Sequence, residues 1–128
     1  MQPGSATAIV LFAHGAKDPE WAQPMERIQS AVRLLLPGTP VALAYLERMR
    51  PTLSEAVSAV IDEGARSVTV VPLFLAAGGH IKQDLPELIG ELQRRHPDVR
   101  IAATTPLGDD ADVLDAIAAW VVRKHRAA

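Results

Sequence analysis

The sequence predicts an α/β fold, a three-layer αβα arrangement around an open, four-stranded parallel sheet. Three observations predict it. Short apolar runs alternate with longer amphipathic segments, four of each, along the whole chain. The third run, Val68-Thr69-Val70-Val71-Pro72-Leu73-Phe74, is rich in β-branched residues and apolar on both alternating faces, as befits a strand covered by helices on both sides. The 128 residues hold no linker or low-complexity tract, so a single domain over 1–128 is expected.

Taken in order, the first strand is expected at Thr7–Ala13. A helix follows, because Trp21, Met25, Ile28, Val32 and Leu35 form one apolar stripe between a start at Asp18-Pro19 and a stop at Pro37-Gly38. The second strand is Val41–Leu46. Thr52 and Glu55 then make a capping-box pattern ahead of Val57, Val60 and Ile61, and Gly64 ends that helix. The third strand is Ser67–Phe74. Asp84 and Glu87 repeat the Thr52–Glu55 relation, which places Pro86 in the first turn of a helix with Leu88, Ile89 and Leu92 on its inner face. The fourth strand is Val99–Thr104. The last helix starts near Asp109–Asp112 and carries Val113, Leu114, Ile117, Trp120 and Val121.

Right-handed crossovers turn this alternation into a parallel sheet with helices on both faces. Four strands are too few to close the usual barrel of eight, so the sheet is open. A flavodoxin-like order, 2-1-3-4, is the economical one. Ligand sites of such sheets lie beyond the carboxyl ends of the strands, where the order reverses, here between the first and third strands.

Composition narrows the chemistry. The formal net charge is −2 and there is no block of Lys or Arg, so neither a nucleic acid nor an anionic membrane surface is the expected partner. No apolar run approaches the ~18–20 residues that span a bilayer. The first residues lack the basic and apolar regions of a signal peptide, and a cytoplasmic setting is expected. The absence of cysteine excludes a disulfide framework, an iron–sulfur cluster, a thiolate zinc site and a cysteine nucleophile. Imidazole and carboxylate remain as the strong side-chain ligands for a transition metal.

At the predicted edge, His14-Gly15 follows the first strand, and Leu75-Ala76-Ala77-Gly78-Gly79-His80 follows the third. Glu47-Arg48 follows the second. Two imidazoles, a carboxylate, a guanidinium and a glycine-bearing loop thus converge at one edge. His96, at a helix end before Pro97, and His125, in the C-terminal tail, read as structural. No Gly-x-Ser-x-Gly, Gly-x-Gly-x-x-Gly or P-loop pattern occurs, which excludes the hydrolase elbow and the dinucleotide and P-loop sites. A strand ending in His-Gly is similar to phosphohistidine phosphatases, but these place Arg before the His, where this chain has Ala13. Two histidines without cysteine suit a first-row divalent metal held loosely. Lasting catalytic sites hold their ion with three protein ligands, so a two-imidazole site points to metal transfer.

Ala13-His14-Gly15, Pro72-Leu73-Phe74-Leu75 running into Gly79-His80, and Asp84-Leu85-Pro86 resemble the class II chelatases of tetrapyrrole biosynthesis, in their short CbiX/SirB-type form. The resemblance covers about residues 8–122. It implies a chelatase-like fold and insertion of a divalent metal (Co²⁺ or Fe²⁺, with Ni²⁺ a further candidate) into sirohydrochlorin, with the metal as substrate and no permanent cofactor. It implies that His14 and His80 are the metal-binding pair, one also accepting a proton, and that Leu75, Ala76, Ala77, Gly78 and Gly79 form the substrate loop. Glu47 and Arg48 fall where the family has polar groups facing the macrocycle. Glu47 is the second candidate base, and Arg48, with Lys17 and Lys82, can pair with the substrate's carboxylates. One position departs: the family usually has Ser after His-Gly, and this chain has Ala16. A non-catalytic metal or tetrapyrrole carrier of the same fold is the alternative, and a phosphatase the remoter one. Longer members contain two such lobes in one chain, so a homodimer is the expectation for a single lobe.

Overall fold

The computed structural model describes residues 6–76 and 79–128, with Gly79 and His80 described by their backbone alone. Its strands are β1 (Thr7–Ala13), β2 (Val41–Tyr45), β3 (Ser67–Pro72) and β4 (Arg100–Ala103). All pair in parallel in the order β2-β1-β3-β4, the order that the alternating pattern predicts. The helices are α1 (Ala22–Leu35), α2 (Leu53–Asp62), α3 (Gly79–Arg95) and α4 (Ala111–Ala127), with 3-10 turns at Pro19–Trp21 and Leu107–Asp109.

Alternation along the strands sorts the core. Ala8, Val10 and Phe12 of β1, Ala44 of β2, Val68 and Val70 of β3 and Ile101 of β4 point to one face, where Leu53, Ala56, Val57 and Val60 of α2 and Leu92 of α3 bury against them. Three strands end one or two residues before their apolar runs do. The chain continues alongside its neighbour there through single bonds: Leu46 N–H to the Ala13 carbonyl (2.9 Å), Leu73 N–H to Phe12 (2.8 Å) and Thr104 N–H to Val70 (2.9 Å). These tails matter, because they carry the sheet's register into the loops at its carboxyl edge.

The start of α2 follows the sequence. Thr52 accepts from the Glu55 N–H, and the Glu55 carboxylate accepts from the Thr52 N–H in return. The start of α3 does not. The helix begins at Gly79, so Asp84 and Glu87 form no cap and Pro86 lies inside it. An interior proline costs about 3 kcal/mol through its missing N–H and its ring. Ile81 and Leu85, upstream of it, pack against the core, and burial of such side chains contributes up to about 1.5–3 kcal/mol each. That gain extends the helix past the proline.

A second difference concerns the outer helices. Trp21, in the 3-10 turn before α1, is 68% exposed and Leu35, at the end of α1, 80%, although both belong to the predicted stripe. No residue of α4 is buried, and His125 lies in the last turn of that helix rather than in a tail. The sheet therefore has α2 and α3 over one face and α1 over the β2 side of the other.

Candidate functional site

His14 is the first residue beyond β1, and two backbone bonds place its neighbours. Leu46 N–H bonds to Ala13, and Glu47 N–H donates to the His14 carbonyl (3.1 Å), so the chain leaving β2 stays beside the chain leaving β1. Gly15 makes this approach possible. Its φ is +92°, and a Cβ at that position would sit 2.0 Å from the Glu47 carbonyl oxygen. Arg48, next along, has φ +66°, a left-handed conformation that a branched or long side chain seldom adopts.

The side chains follow from that backbone. His14 Nδ1 lies 3.7 Å from Glu47 Oε1 and 3.4 Å from the Gly15 carbonyl. Both neighbours are acceptors, so they favour a proton on Nδ1 and leave the Nε2 lone pair free. Arg48 Nε lies 3.9 Å from the same Glu47 oxygen. The three side chains are each about half exposed. The imidazole ring stands edge-on to the ring of Phe74 (centroids 6.3 Å, 90°), which is itself edge-on to Phe12 in the core (5.5 Å, 81°). A chain of aromatic contacts thus runs from the core to His14.

The loops after β3 and β4 are tied in the same manner. Gly108 N–H donates to the Phe74 carbonyl (3.0 Å), and a Cβ on Gly108 would lie 1.7 Å from the Leu75 carbonyl oxygen. Leu75 and Ala76 are exposed at this edge, while Ala77 and Gly78 lie outside the described residues. Gly79 and His80 belong by backbone to the first turn of α3 instead of a loop. Ile81 shares a cavity of about 110 Å³ with Leu46, so α3 begins beside the segment that carries Glu47. The structure thus brings His14, Glu47 and Arg48 together and starts the helix of His80 at the same edge. His96 is structural: its N–H caps the Leu92 carbonyl (3.0 Å) and its own carbonyl accepts from Gln93 Nε2 (3.1 Å).

Beside His14 opens a recess of about 410 Å³ lined by Ala13, Gly15, Ala16, Trp21, Met25, Tyr45 and Met49. Sequence reading gives no site role to Tyr45 or Met49, and quotes Phe74 only as part of the family motif. The parallel register Ala13–Tyr45 is the signal that finds the recess, because it sets Tyr45 beside the last residue of β1. Burial, and after it the negative charge of Glu26, pushes the Tyr45 phenol above its usual value, so this hydroxyl stays protonated and is no base at neutral pH. Larger hollows of about 720 and 740 Å³ flank β2 and β4 at the sides of the sheet, away from His14. Among the described residues no three His, Asp or Glu side chains gather as a metal cluster, so the arrangement offers an imidazole nitrogen and a carboxylate. Such a pair can take a cation transiently and can accept a proton.

Comparison with known proteins decides the family. The CbiX family profile matches residues 8–123. The chain belongs to the CbiX family. This CbiX chain is 36% identical over 111 residues to the sirohydrochlorin cobaltochelatase of Saccharolobus islandicus (strain L.S.2.15 / Lassen #1), covering 82% of this chain and 85% of the relative. It is 30% identical over 110 residues to the sirohydrochlorin ferrochelatase of Bacillus subtilis (strain 168), covering 86% of this chain but only 42% of that longer protein. In three dimensions it matches a putative cobalamin (vitamin B12) biosynthesis CbiX protein of Marinobacter aquaeolei VT8 at a TM-score of 0.82, with 32% identity over 95% of this chain and 99% of that one. It also matches the sirohydrochlorin chelatase SirB of Bacillus subtilis subspecies spizizenii, solved with cobalt, at a TM-score of 0.74 and 29% identity, over 86% of this chain and 47% of SirB.

Proposed function

We propose that this CbiX chain is a cytoplasmic chelatase that inserts Co²⁺ or Fe²⁺, with Ni²⁺ a further candidate, into sirohydrochlorin. The observation that carries the reading is His14, with Nδ1 3.4 Å from the Gly15 carbonyl and 3.7 Å from Glu47 Oε1, at the carboxyl end of the sheet in a chain of this family. The metal is a substrate. His14 and His80 take the aquated ion through neutral imidazoles and displace part of its water. Two pyrrole N–H protons must leave as the ion enters. One goes to Glu47 or to the imidazole that has just released the ion, and the other to a second such base or to water. Arg48 pairs with a peripheral carboxylate of the macrocycle. The segment Leu75, Ala76, Ala77, Gly78 and Gly79 lies against its flat face.

The Bacillus relatives, more than twice as long as the part this chain matches, support a homodimer for this shorter chain, in which a second copy covers the side of the macrocycle that one lobe leaves open. Among the described residues no helix is long and apolar enough to cross a membrane.

An anaerobic absorbance assay with sirohydrochlorin and a panel of divalent metals tests the reading. His14→Ala and His80→Ala each abolish metallation with an unchanged far-UV spectrum. Near-normal turnover in both variants would refute the proposed roles. Ala16, whose methyl faces the recess where the family usually has a hydroxyl, favours a second reading as a metal or tetrapyrrole carrier. Metallation that stops at one equivalent per chain identifies the carrier, and continued turnover identifies the enzyme.

A further inference from the structure

Sulfur is scarce in this chain, and its placement is uneven. There is no cysteine, and three methionines supply every sulfur atom. Met1 lies outside the described residues. The other two, Met25 and Met49, stand on different segments yet line the same recess of about 410 Å³ that opens beside His14.

Local structure turns both methionines inward. Met25 of α1 comes about one helical turn after Trp21, so the two share a face. Met25 is half-buried, while Pro24 and Glu26 on either side of it are exposed. After β2 the left-handed Arg48 (φ +66°) redirects the chain, and Met49 is half-buried between exposed Arg48 and Arg50. His14 meets the same recess from the end of β1. One imidazole and two thioethers therefore come from three separate segments around one space. Methionine has three rotatable side-chain bonds, which lets both sulfurs adapt to a common ion.

The rest of the lining decides the kind of ion. No Lys or Arg lines the recess, and its other walls are apolar or aromatic. Tyr45 is only 4% exposed, and its hydroxyl has no hydrogen-bond partner among the described residues. The negative charge of Glu26 is felt at that phenol, which favours a cation over an anion nearby. Hard or borderline divalent ions gain little from thioethers. Soft thioether donors select Cu⁺ instead, and Cu⁺ accepts as few as three ligands.

We propose that His14, Met25 and Met49 form a site for Cu⁺, and that Cu⁺ held there blocks metal insertion by occupying the His14 imidazole. The site stands on the recess alone, and the block rests on the chelatase reading above. Competition follows because one imidazole nitrogen cannot serve two ions. Co²⁺, Fe²⁺ and Ni²⁺ are served by imidazole and carboxylate, the groups that meet on the Glu47 side of His14. Cu⁺ is served by imidazole and thioether, the groups that meet on the recess side. The same histidine thus stands between a borderline and a soft set of donors.

The test uses the full chain under anaerobic conditions. Cu⁺ is titrated in competition with bicinchoninate, and X-ray absorption at the copper edge reads the donor atoms. The expected result is one Cu⁺ per chain with two sulfur neighbours and nitrogen. Met25→Leu combined with Met49→Leu keeps the apolar volume. It should weaken Cu⁺ binding roughly ten-fold or more and remove the sulfur signal, with an unchanged far-UV spectrum. A shell of nitrogen and oxygen alone in the wild-type chain, or unchanged affinity in the double variant, places Cu⁺ on other groups and overturns the site. One equivalent of Cu⁺ should suppress Co²⁺ insertion into sirohydrochlorin by the wild-type chain and leave the double variant active. Equal suppression of both, or undiminished insertion by a wild-type chain that holds Cu⁺ on two sulfurs, overturns the block. If neither chain inserts metal without copper, the chelatase reading fails and the block with it, while the copper titration still decides the site.

Discussion

Replacing Gly15 by alanine tests how the site is held. A Cβ there meets two costs. The first is the backbone: φ +92° lies in the region where L residues lose about 1–2 kcal/mol. The second is contact: the new carbon would be 2.0 Å from the Glu47 carbonyl oxygen, about 1 Å inside the closest tolerated approach, so the loop after β2 must move. That movement breaks the Glu47–His14 backbone bond and strains the Leu46–Ala13 bond, at about 0.5–1.5 kcal/mol each. The expected loss is therefore about 2–5 kcal/mol. Gly38 supplies the control, since its φ is +90° but a Cβ there meets nothing within 4 Å. Gly38→Ala should lose only the first cost, about 1–2 kcal/mol, and keep full metallation activity. Urea unfolding at equal protein concentration reads both stabilities, and the metallation assay reads whether Glu47 has left His14. Equal destabilisation of the two variants, with activity intact in Gly15→Ala, would sink the idea that close backbone approach holds these groups together.

Arg48→Gly should relieve the left-handed strain and stabilise the chain by about 1 kcal/mol while raising the KM for the macrocycle, because the lost Glu47 contact is a half-exposed pair of little worth. Higher stability with unchanged KM would remove Arg48 from the substrate site. Thr52→Ala should cost about 1 kcal/mol in urea unfolding through the lost α2 cap, and an unchanged midpoint would contradict the capping role. The Arg50 guanidinium, bonded to the Glu55 side chain, lowers the Glu55 carboxyl to about 2 from 4.5, with the Thr52 backbone bond assisting. Its stabilisation is present above pH 4.5 and is lost as pH falls towards about 2, so Glu55→Gln should flatten the stability profile in that window. Leu92→Ala, at a fully buried position of α3, should cost about 2–5 kcal/mol, and a loss below 1 would mean that α3 does not close the core.

Strand order and the strand centres were readable from sequence because a buried parallel strand imposes a composition on every residue it contains. The start of α3 was not. Pro86 carries the same local signal whether it opens a helix or interrupts one, and only the burial of Ile81 and Leu85 decides. Convergence of His14, Glu47 and Arg48 followed from topology, since a parallel sheet delivers each loop to the same edge. Tyr45 and Met49 stayed unseen, and Phe74 was read only as a motif residue, because their roles depend on register and ring packing across loops that no sequence period encodes. For α4 the period demanded a buried face, and no residue of that helix is buried in the single chain.

The distribution of unusual backbone positions shows what the carboxyl edge requires. Gly38 and Gly64 also adopt positive φ, but they follow helices and a side chain would meet open space at either one. At the edge the pattern differs. Gly15 is pressed against Glu47, Gly108 against Leu75, and Arg48 is held left-handed without the freedom of glycine. The contacts join the loops in neighbouring pairs, after β1 and β2 and after β3 and β4. Loops placed only by strand ends would let side chains drift by more than an ångström, which is enough to separate an imidazole from a carboxylate. Pairwise clamping through glycine fixes the backbone under His14 and Glu47 while both side chains stay half exposed. That combination, a rigid base beneath an open pair of groups, suits a site whose cargo arrives and leaves with every reaction.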